Sequence, residues 1–422
     1  MDRTRGLLGI VALVVGILVL LPEVAGGIPA FARRHRTSCT TCHTVFPRLK
    51  AYGDEFAGDG FVMPEEEKER DYVTAGDDLL WLNRDFPLAV RFDAYALYDE
   101  KPDGWVAAAD GEESESAEGA ANYVENDLQI PWGLKLMSGG ALYKSIGYYF
   151  YFYMSERGEV AGVEDAYIHF NNVLGQPFDI MVGQFQTSDP LMKRELRTTF
   201  EDYAIYTRQT GDSGINLTYD RGFMLTYGIA ATGTDLVAML VNGNGRADAG
   251  ADHKFDSDDF KNAGFRLSQG IGEIGSIGGF VYYGQEKIAG GLENEVLYWG
   301  PDVSVGYGPF EFTGQYLLRT DDNPLFLGTN PEEVETTGIV AELVIMPQGE
   351  MGRHFITLLY NQIDTDIAEV LPDDAGGAEL DYETMTVSLT HLLARNLRLS
   401  LEYTRDLELE TNRAVLGLIT GF

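Results

Sequence analysis

The strongest constraint on the fold of this 422-residue sequence is an alternation of apolar and polar side chains, which recurs from Phe86 to the C-terminus. Between Leu397 and Thr404, for example, leucine or tyrosine alternates with arginine, serine, glutamate or threonine. A period of two indicates strands with one apolar and one polar face. A soluble sandwich would bury the apolar face, whereas a membrane barrel would show it to lipid and turn the polar face into the lumen.

Two further features favour the membrane barrel over the soluble sandwich. Alternating segments of about ten residues, the length of a tilted membrane strand, follow one another through the whole of residues 86–422. The last segment, Arg413 to Phe422, ends in an aromatic residue, a common ending for outer-membrane barrels. We therefore predict an all-β fold, an outer-membrane antiparallel β-barrel of about 16 strands (range roughly 16–18), which has room for an aqueous channel or a plug.

The charge balance excludes one class of partner. The chain carries 66 acidic and 31 basic side chains, a formal charge of −35. Binding to nucleic acid needs a surplus of lysine and arginine that neutralises phosphates, so no nucleic-acid partner is expected. The long predicted connections, residues 99–127, 248–259, 321–335 and 364–381, are acidic. Such loops on one rim would concentrate cations, although hydration of an exposed surface is the simpler interpretation.

Residues 1–27 predict a secretory signal peptide that is removed from the mature chain. Arg3 and Arg5 precede an apolar stretch from Gly6 to Leu21, and small residues follow it up to Gly27. An uncleaved helical anchor is the alternative, but the stretch is short for a membrane span. Together with the barrel pattern, the signal predicts a location in the outer membrane of a Gram-negative bacterium, with outer-membrane lipid as a partner.

Cys39-Thr40-Thr41-Cys42-His43 has the C-x-x-C-H spacing of a c-type haem attachment site. Two thiols within one helical turn can add to the two vinyl groups of one haem, and the imidazole that follows can ligate the iron. A redox dithiol is an alternative, but it normally accompanies a βαβ pattern. Half of a zinc site is another, but the chain has no third cysteine. We predict one covalent haem c, with Cys39 and Cys42 as thioethers and His43 as proximal iron ligand.

The sixth ligand of the haem iron is a separate question. Met63 follows the proximal histidine within the same short segment, and a thioether is a common ligand in c-type cytochromes. Packing in a small core is the alternative role for this side chain. His35 is a rival ligand, whereas His169 or Met192 would require another part of the chain to close over the haem. Met63 is the ligand that we predict.

Residues 28–80 are predicted to form a small α-helical monohaem cytochrome c segment that plugs or caps the lumen. Residues 28–52 contain basic side chains and no acidic ones, the basic residues being Arg33, Arg34, Arg36, Arg48 and Lys50. Coulomb attraction between a basic segment and an acidic barrel strengthens away from bulk water. About fifty residues are also too few for a robust core of their own.

A second segment is expected to enter the lumen after the fifth strand. Ser188-Asp189-Pro190 has the cap and first-turn residues of a helix start. A helix from here to about Arg208 would narrow the channel, with basic side chains opposite acidic ones, namely Lys193, Arg194 and Arg197 opposite Glu195, Glu201 and Asp202. An exposed helical loop is the alternative.

The first fifty or so residues resemble the fused outer-membrane monohaem cytochrome–porins, whose known members oxidise ferrous iron outside the cell. The resemblance rests on Pro29-Ala30-Phe31-Ala32-Arg33, on Cys39 to His43, on Pro47 and Leu49, and on Tyr52-Gly53. Over the remainder of the chain it rests on architecture alone. The resemblance implies covalent haem on the two cysteines, iron ligation by the histidine, and a porin part that spans the outer membrane. Arg34-His35-Arg36 departs from the Gln-Thr-Gly usual in the iron oxidases.

These observations predict an outer-membrane electron-transfer protein. An extracellular donor, for which Fe(II) is the first candidate, would reduce the haem. The haem would then pass the electron to a periplasmic carrier such as a c-type cytochrome. This is electron transfer of the iron:cytochrome c oxidoreductase type. The alternatives are electron export to an extracellular acceptor, a diffusion porin whose haem segment is a gate or plug, and a soluble periplasmic β-protein with a cytochrome appendage.

Overall fold

The computed structural model describes residues 30–63, 80, 86–101, 105–107, 113–115, 123–250, 252–256, 258–272, 274–288, 290–371 and 381–422. The predicted signal peptide, residues 64–79 of the predicted cytochrome segment and parts of the acidic connections lie outside these ranges. None of the helices in the described ranges is long and apolar enough to cross a membrane.

Strands dominate the described part of the chain. Their bounds are β1 Leu88–Lys101, β2 Trp105–Ala107, β3 Glu113–Glu115, β4 Tyr123–Tyr143, β5 Ile146–Glu156, β6 Gly162–Phe170, β7 Phe178–Gln186, β8 Tyr219–Ile229, β9 Thr234–Val241, β10 Asn262–Gly270, β11 Gly275–Lys287, β12 Glu293–Tyr307, β13 Phe310–Asp321, β14 Val334–Ile345, β15 His354–Thr365, β16 Tyr382–Ala394, β17 Leu397–Asp406 and β18 Asn412–Gly421.

Sixteen of these strands form a closed antiparallel barrel in which each strand pairs with its sequence neighbours, and β1 closes the ring against β18. Arg91 lies opposite Gly421 at this closure. The short strands β2 and β3 pair only with each other. The predicted all-β barrel of about 16 strands is therefore confirmed.

The two ends of the barrel differ. Connections such as those between β4 and β5 or between β16 and β17 are tight turns, and the longest connections, such as those between β7 and β8 or between β13 and β14, lie at the other end. The start of β1 and the end of β18 lie with the short turns, because Leu88 pairs with Ser138 near the end of β4. We call these the short-turn end and the long-loop end.

The alternating pattern faces the way that a membrane barrel requires. On β16 the inward positions Thr384 to Thr390 are polar and buried, whereas Met385, Val387 and Leu389 point outward and are exposed. A sandwich would reverse this arrangement, because its buried face is the apolar one. The outward apolar face therefore provides a surface for lipid.

Helices are few and short in the described residues. Three lie in the N-terminal segment, α1 Ala30–His35, α2 Cys39–Cys42 and α3 Ala51–Gly58. The fourth, α4 Ala204–Thr207, lies in the connection between β7 and β8, and 3₁₀ turns occur at Val173–Gly175, Arg194–Leu196 and Asp366–Glu369.

Residues 187–218, which we call the inward loop, fold into the lumen as expected, but the helix predicted from Ser188 is wrong. The backbone there forms turns and the 3₁₀ turn at Arg194–Leu196. Its side chains and backbone contact several different strands: Glu195 binds Lys135 on β4, and the backbone N–H of Phe200 donates to Glu402 on β17. Contacts on separate walls hold the chain in a largely irregular path and override the local helix signal.

Candidate functional site

The C-x-x-C-H sequence occupies one helical turn and its C-terminal cap. Ser38 caps α2 by accepting a hydrogen bond from the Thr40 backbone N–H at 3.3 Å. The backbone N–H of His43 donates to the Cys39 carbonyl at 2.9 Å and ends the turn. Cys39 and Cys42 are half-buried free thiols. The predicted pair of cysteines and the histidine are thus held together by one local turn.

Hydrogen bonding orients the imidazole of His43. Its Nδ1 lies 2.9 Å from the carbonyl oxygen of Pro47 and 3.3 Å from that of Arg48, and only a protonated Nδ1 can bond to these acceptors. The lone pair is therefore on Nε2, the usual arrangement in a metal-ligating histidine. Burial lowers the pKa of His43, which favours the neutral ring that can bind a metal. Burial raises the pKa of both cysteine thiols.

Helix α3 packs directly on this turn. A side chain at Gly53 would collide with the carbonyl oxygen of Cys42, so the two helices approach at backbone distance. One turn farther along α3, Phe56 packs edge-on against Phe31 and Phe61, with ring centroids 5.3 and 5.6 Å away. These contacts give the segment a small aromatic core.

The segment lies across the short-turn end of the barrel. Val45 packs with buried residues on or next to strands β14 to β16, namely Val344, Met346, Phe355 and Leu392. Gly60 packs closely on His169 of β6, and Val62 lies close to Gly147 of β5. The segment therefore bridges two well-separated parts of the wall.

Ion pairs hold the segment in the mouth of the barrel. Arg48 pairs with Glu311 at 2.7 Å and with Glu342, whose side chain is 0% exposed. Lys50 pairs with Glu350 in the β14–β15 turn at 2.7 Å. Lys193 of the inward loop reaches back to Asp54 on α3 at 2.7 Å. The basic segment thus meets carboxylates of the wall, as its charge leads one to expect.

The candidates for the sixth iron ligand lie in different environments. Met63 is half-buried and directly follows the part of the segment that packs on β5 and β6. His169 is buried and bonded to Asn171, and the His35 ring lies 5.7 Å from Phe56. Met192 belongs to the apolar core inside the lumen. Met63 as distal ligand stays a prediction.

One side of the lumen is filled by charged side chains. Lys135 is 2% exposed and lies 2.9 Å from Glu195 of the inward loop and 3.9 Å from Asp93. Burial alone would raise the pKa of Glu195, but Lys135 and nearby arginines lower it well below its usual range. Arg194 and Arg197 both pair with Asp202, as the sequence predicted for this segment. We call this region the charged half.

The other side of the lumen is filled by apolar side chains, which the sequence analysis missed. Residues of the inward loop, among them Tyr203, Ile205, Tyr206, Ile215 and Leu217, form one core with inward residues of β9 to β15, including Met239, Phe280, Val296, Leu317, Val340 and Leu359. Continuous apolar runs such as Gly279 to Tyr283 carried the signal, because a membrane strand that is apolar on both faces shows one face to lipid and needs an apolar partner inside the lumen for the other. We call this region the apolar half.

The comparisons with known proteins extend only to the fold. No protein-family model matches the chain, and no curated protein matches it. An anion-selective porin from Comamonas acidovorans is similar at 12% identity, with 80% of this chain and 99% of the porin covered and a TM-score of 0.53. The outer membrane channel DcaP of Acinetobacter baumannii is similar at 15% identity, covering 80% and 97%, with a TM-score of 0.54. The chain has the closed 16-strand fold of outer-membrane porins.

Proposed function

We propose that the protein is an outer-membrane electron-transfer barrel that carries one c-type haem on the segment in its mouth. Cys39 and Cys42 would form the two thioethers, and His43 Nε2 would ligate the iron. The observation that carries the proposal is the hydrogen bond from His43 Nδ1 to the Pro47 carbonyl, beside two thiols on the same turn. Bound haem would supply one-electron chemistry, while this chain attaches it, orients its ligand and limits access to water.

The position of the segment bears on the partners. Outer-membrane barrels turn their short connections to the periplasm and their long loops to the outside. Cys39 to His43 would then face a periplasmic carrier. Carboxylates of the long loops, among them Asp256, Asp258 and Asp322, would gather a cation at the far end. We retain extracellular Fe(II) as the proposed electron donor. Electron flow in the reverse direction, to an extracellular acceptor, is the alternative.

A diffusion porin with the N-terminal segment as gate or plug is the second candidate, and the porin-like fold favours it. The side chains that line the lumen argue for a plug. Glu342 is 0% exposed and Arg319 is 3% exposed, although both point inward from the barrel wall. Inward side chains of an open channel would be wet. Single-channel conductance separates the candidates, because a packed lumen predicts no open-porin steps and a diffusion porin predicts them.

Haem attachment is tested first, by producing the full chain with a c-type maturation system. We expect a covalent haem that survives denaturing electrophoresis, and its loss in the Cys39→Ser/Cys42→Ser double variant. Thr40→Ser/Thr41→Ser is the matched control, because it changes the same turn and keeps both thiols. Wild-type protein that folds as a barrel but carries no covalent haem would overturn the proposal.

Anaerobic mixing of the oxidised protein with Fe(II) then tests the donor. Fast growth of the reduced c-haem band supports ferrous iron, whereas reduction by dithionite alone removes iron as the donor and leaves the cytochrome. Met63→Ala tests the distal ligand. We expect a lower reduction potential and an altered low-spin spectrum, because a thioether ligand raises the potential. An unchanged spectrum would exclude Met63 as ligand.

A further inference from the structure

Two histidines form a pair on the outer wall of the barrel, separate from the haem segment. His354 begins β15, and His391 lies directly opposite it on β16. The inward neighbours Phe355 and Thr390 are buried, so both imidazoles lie on the outward face. The pair is at the short-turn end, where the wall meets water and lipid headgroups.

The two rings present nitrogen atoms to each other. His391 Nδ1 lies 3.0 Å from His354 Nε2, and the ring centroids are 4.7 Å apart. Two imidazole nitrogens bound to one metal ion at about 2.0–2.1 Å lie roughly 2.9–3.4 Å apart for bond angles between about 90° and 109°. The observed separation falls within this interval.

Surrounding contacts fix the first ring in the state that a metal ligand needs. His354 Nδ1 donates to Gln348 Oε1 at 3.2 Å, so the lone pair is on Nε2 and faces His391. Gln348 Oε1 also accepts the backbone N–H of Arg353 at 3.0 Å. Arg395 donates to the carbonyls of Met351 and Gly352, which ties this turn to the next one. Such outer contacts orient ligating histidines.

We propose that His354 and His391 form a binding site for a divalent transition-metal ion, with water completing the coordination. Two imidazoles select Cu²⁺, Ni²⁺ or Zn²⁺ over Ca²⁺ or Mg²⁺, which prefer oxygen. Cu²⁺ binds most tightly, following the general order of affinities for nitrogen sites. On binding, the proton of the neutral His391 ring moves from Nδ1 to Nε2, which frees Nδ1 for the metal. Protonation of the two imidazoles competes with the ion, so the affinity falls as the pH is lowered. The positive charge of neighbouring Arg353 opposes the ion and keeps the affinity moderate.

Titration of the detergent-solubilised full chain with CuSO₄ and ZnCl₂ tests the site by calorimetry. We expect one bound Cu²⁺ per barrel to depend on this pair, with a loss of affinity of at least about tenfold for that ion in His354→Ala and in His391→Ala, because each change removes one of two protein ligands. His253→Asn is the control, since it removes an exposed histidine of a loop. Paramagnetic resonance of the Cu²⁺ form should show two coupled nitrogens.

Unchanged affinity in both variants would overturn the site, as would wild-type protein that binds no Cu²⁺ at millimolar concentration. The second result would leave the pair as an imidazole–imidazole hydrogen bond. Barrel folding of each variant is checked by its heat-dependent migration in gels, so that loss of binding is read only from folded protein.

Discussion

The charged half and the apolar half fill one lumen by opposite means. Lys135, Asp93 and Glu195 hold the inward loop to β1 and β4 through ion pairs. Ile205 and Leu217, farther along the same loop, pack on β9 to β15 as in a soluble core. The loop is charged where the wall is charged and apolar where the wall is apolar. Complementarity between loop and wall therefore determines how the lumen is filled.

The two halves should respond differently to substitution, and the largest effect is expected in the charged half. Lys135→Met leaves the carboxylates of Glu195 and Asp93 with one buried cation fewer. Breaking a buried ion pair from one side costs about 3–5 kcal/mol. Urea unfolding of the barrel in lipid vesicles measures the loss. A cost near zero would mean that water reaches this half and that it is not packed.

Two matched changes sharpen this test. The double variant Lys135→Met/Glu195→Gln should recover part of the lost stability, because no unpaired charge remains at the pair. Lys254→Met removes an exposed partner of Asp252 at 3.7 Å, and we expect less than about 1 kcal/mol for it.

The apolar half offers neighbouring leucines that point to opposite sides of one strand. Leu359 is 3% exposed inside the lumen core, whereas Leu358 is 37% exposed on the outer face. Leu359→Ala should cost about 2–4 kcal/mol, because a packed core cannot close the resulting cavity. Leu358→Ala should cost less than about 1.5 kcal/mol, since lipid chains can fill the space. Equal costs would contradict a packed lumen.

The smallest effect is a pH dependence that belongs to the inward loop. Burial raises the pKa of Asp189 to about 6. A carboxyl group with a raised folded-state pKa stabilises the fold at low pH and loses that contribution as the pH rises through about 6. Asp189 alone should therefore stabilise the barrel by about 1 kcal/mol more at about pH 5 than at about pH 7. Unfolding midpoints across this range measure the gain.

Two other carboxyl groups serve as references for this pH profile. Asp189→Asn should reduce the gain without removing it, because burial also raises the pKa of Asp59 to about 6. Glu195, whose pKa is held well below its usual range, stays ionised throughout and adds no slope. A profile that is identical in Asp189→Asn would show that Asp189 ionises normally.

The wall was predictable because strand patterns are local. The alternation along β16, from Thr384 to Leu392, assigns each side chain to the lumen or to lipid without any knowledge of its neighbours. The turn from Cys39 to His43 was equally local, since its cap and its hydrogen bonds lie within a few residues. The helix predicted from Ser188 was wrong, because contacts of that segment with distant strands outweigh its cap signal.

The sequence by itself determined the strands, their number within narrow limits and the local turn that groups Cys39, Cys42 and His43. Only the tertiary structure decided that Arg48 meets Glu342, that Lys135 meets Glu195, and that half of the lumen is apolar. The physical reason is the range of the interactions. Hydrogen-bonded turns and two-residue periodicity act between near neighbours, whereas a side chain that enters the lumen finds its partner only when closure of the barrel brings distant strands around it.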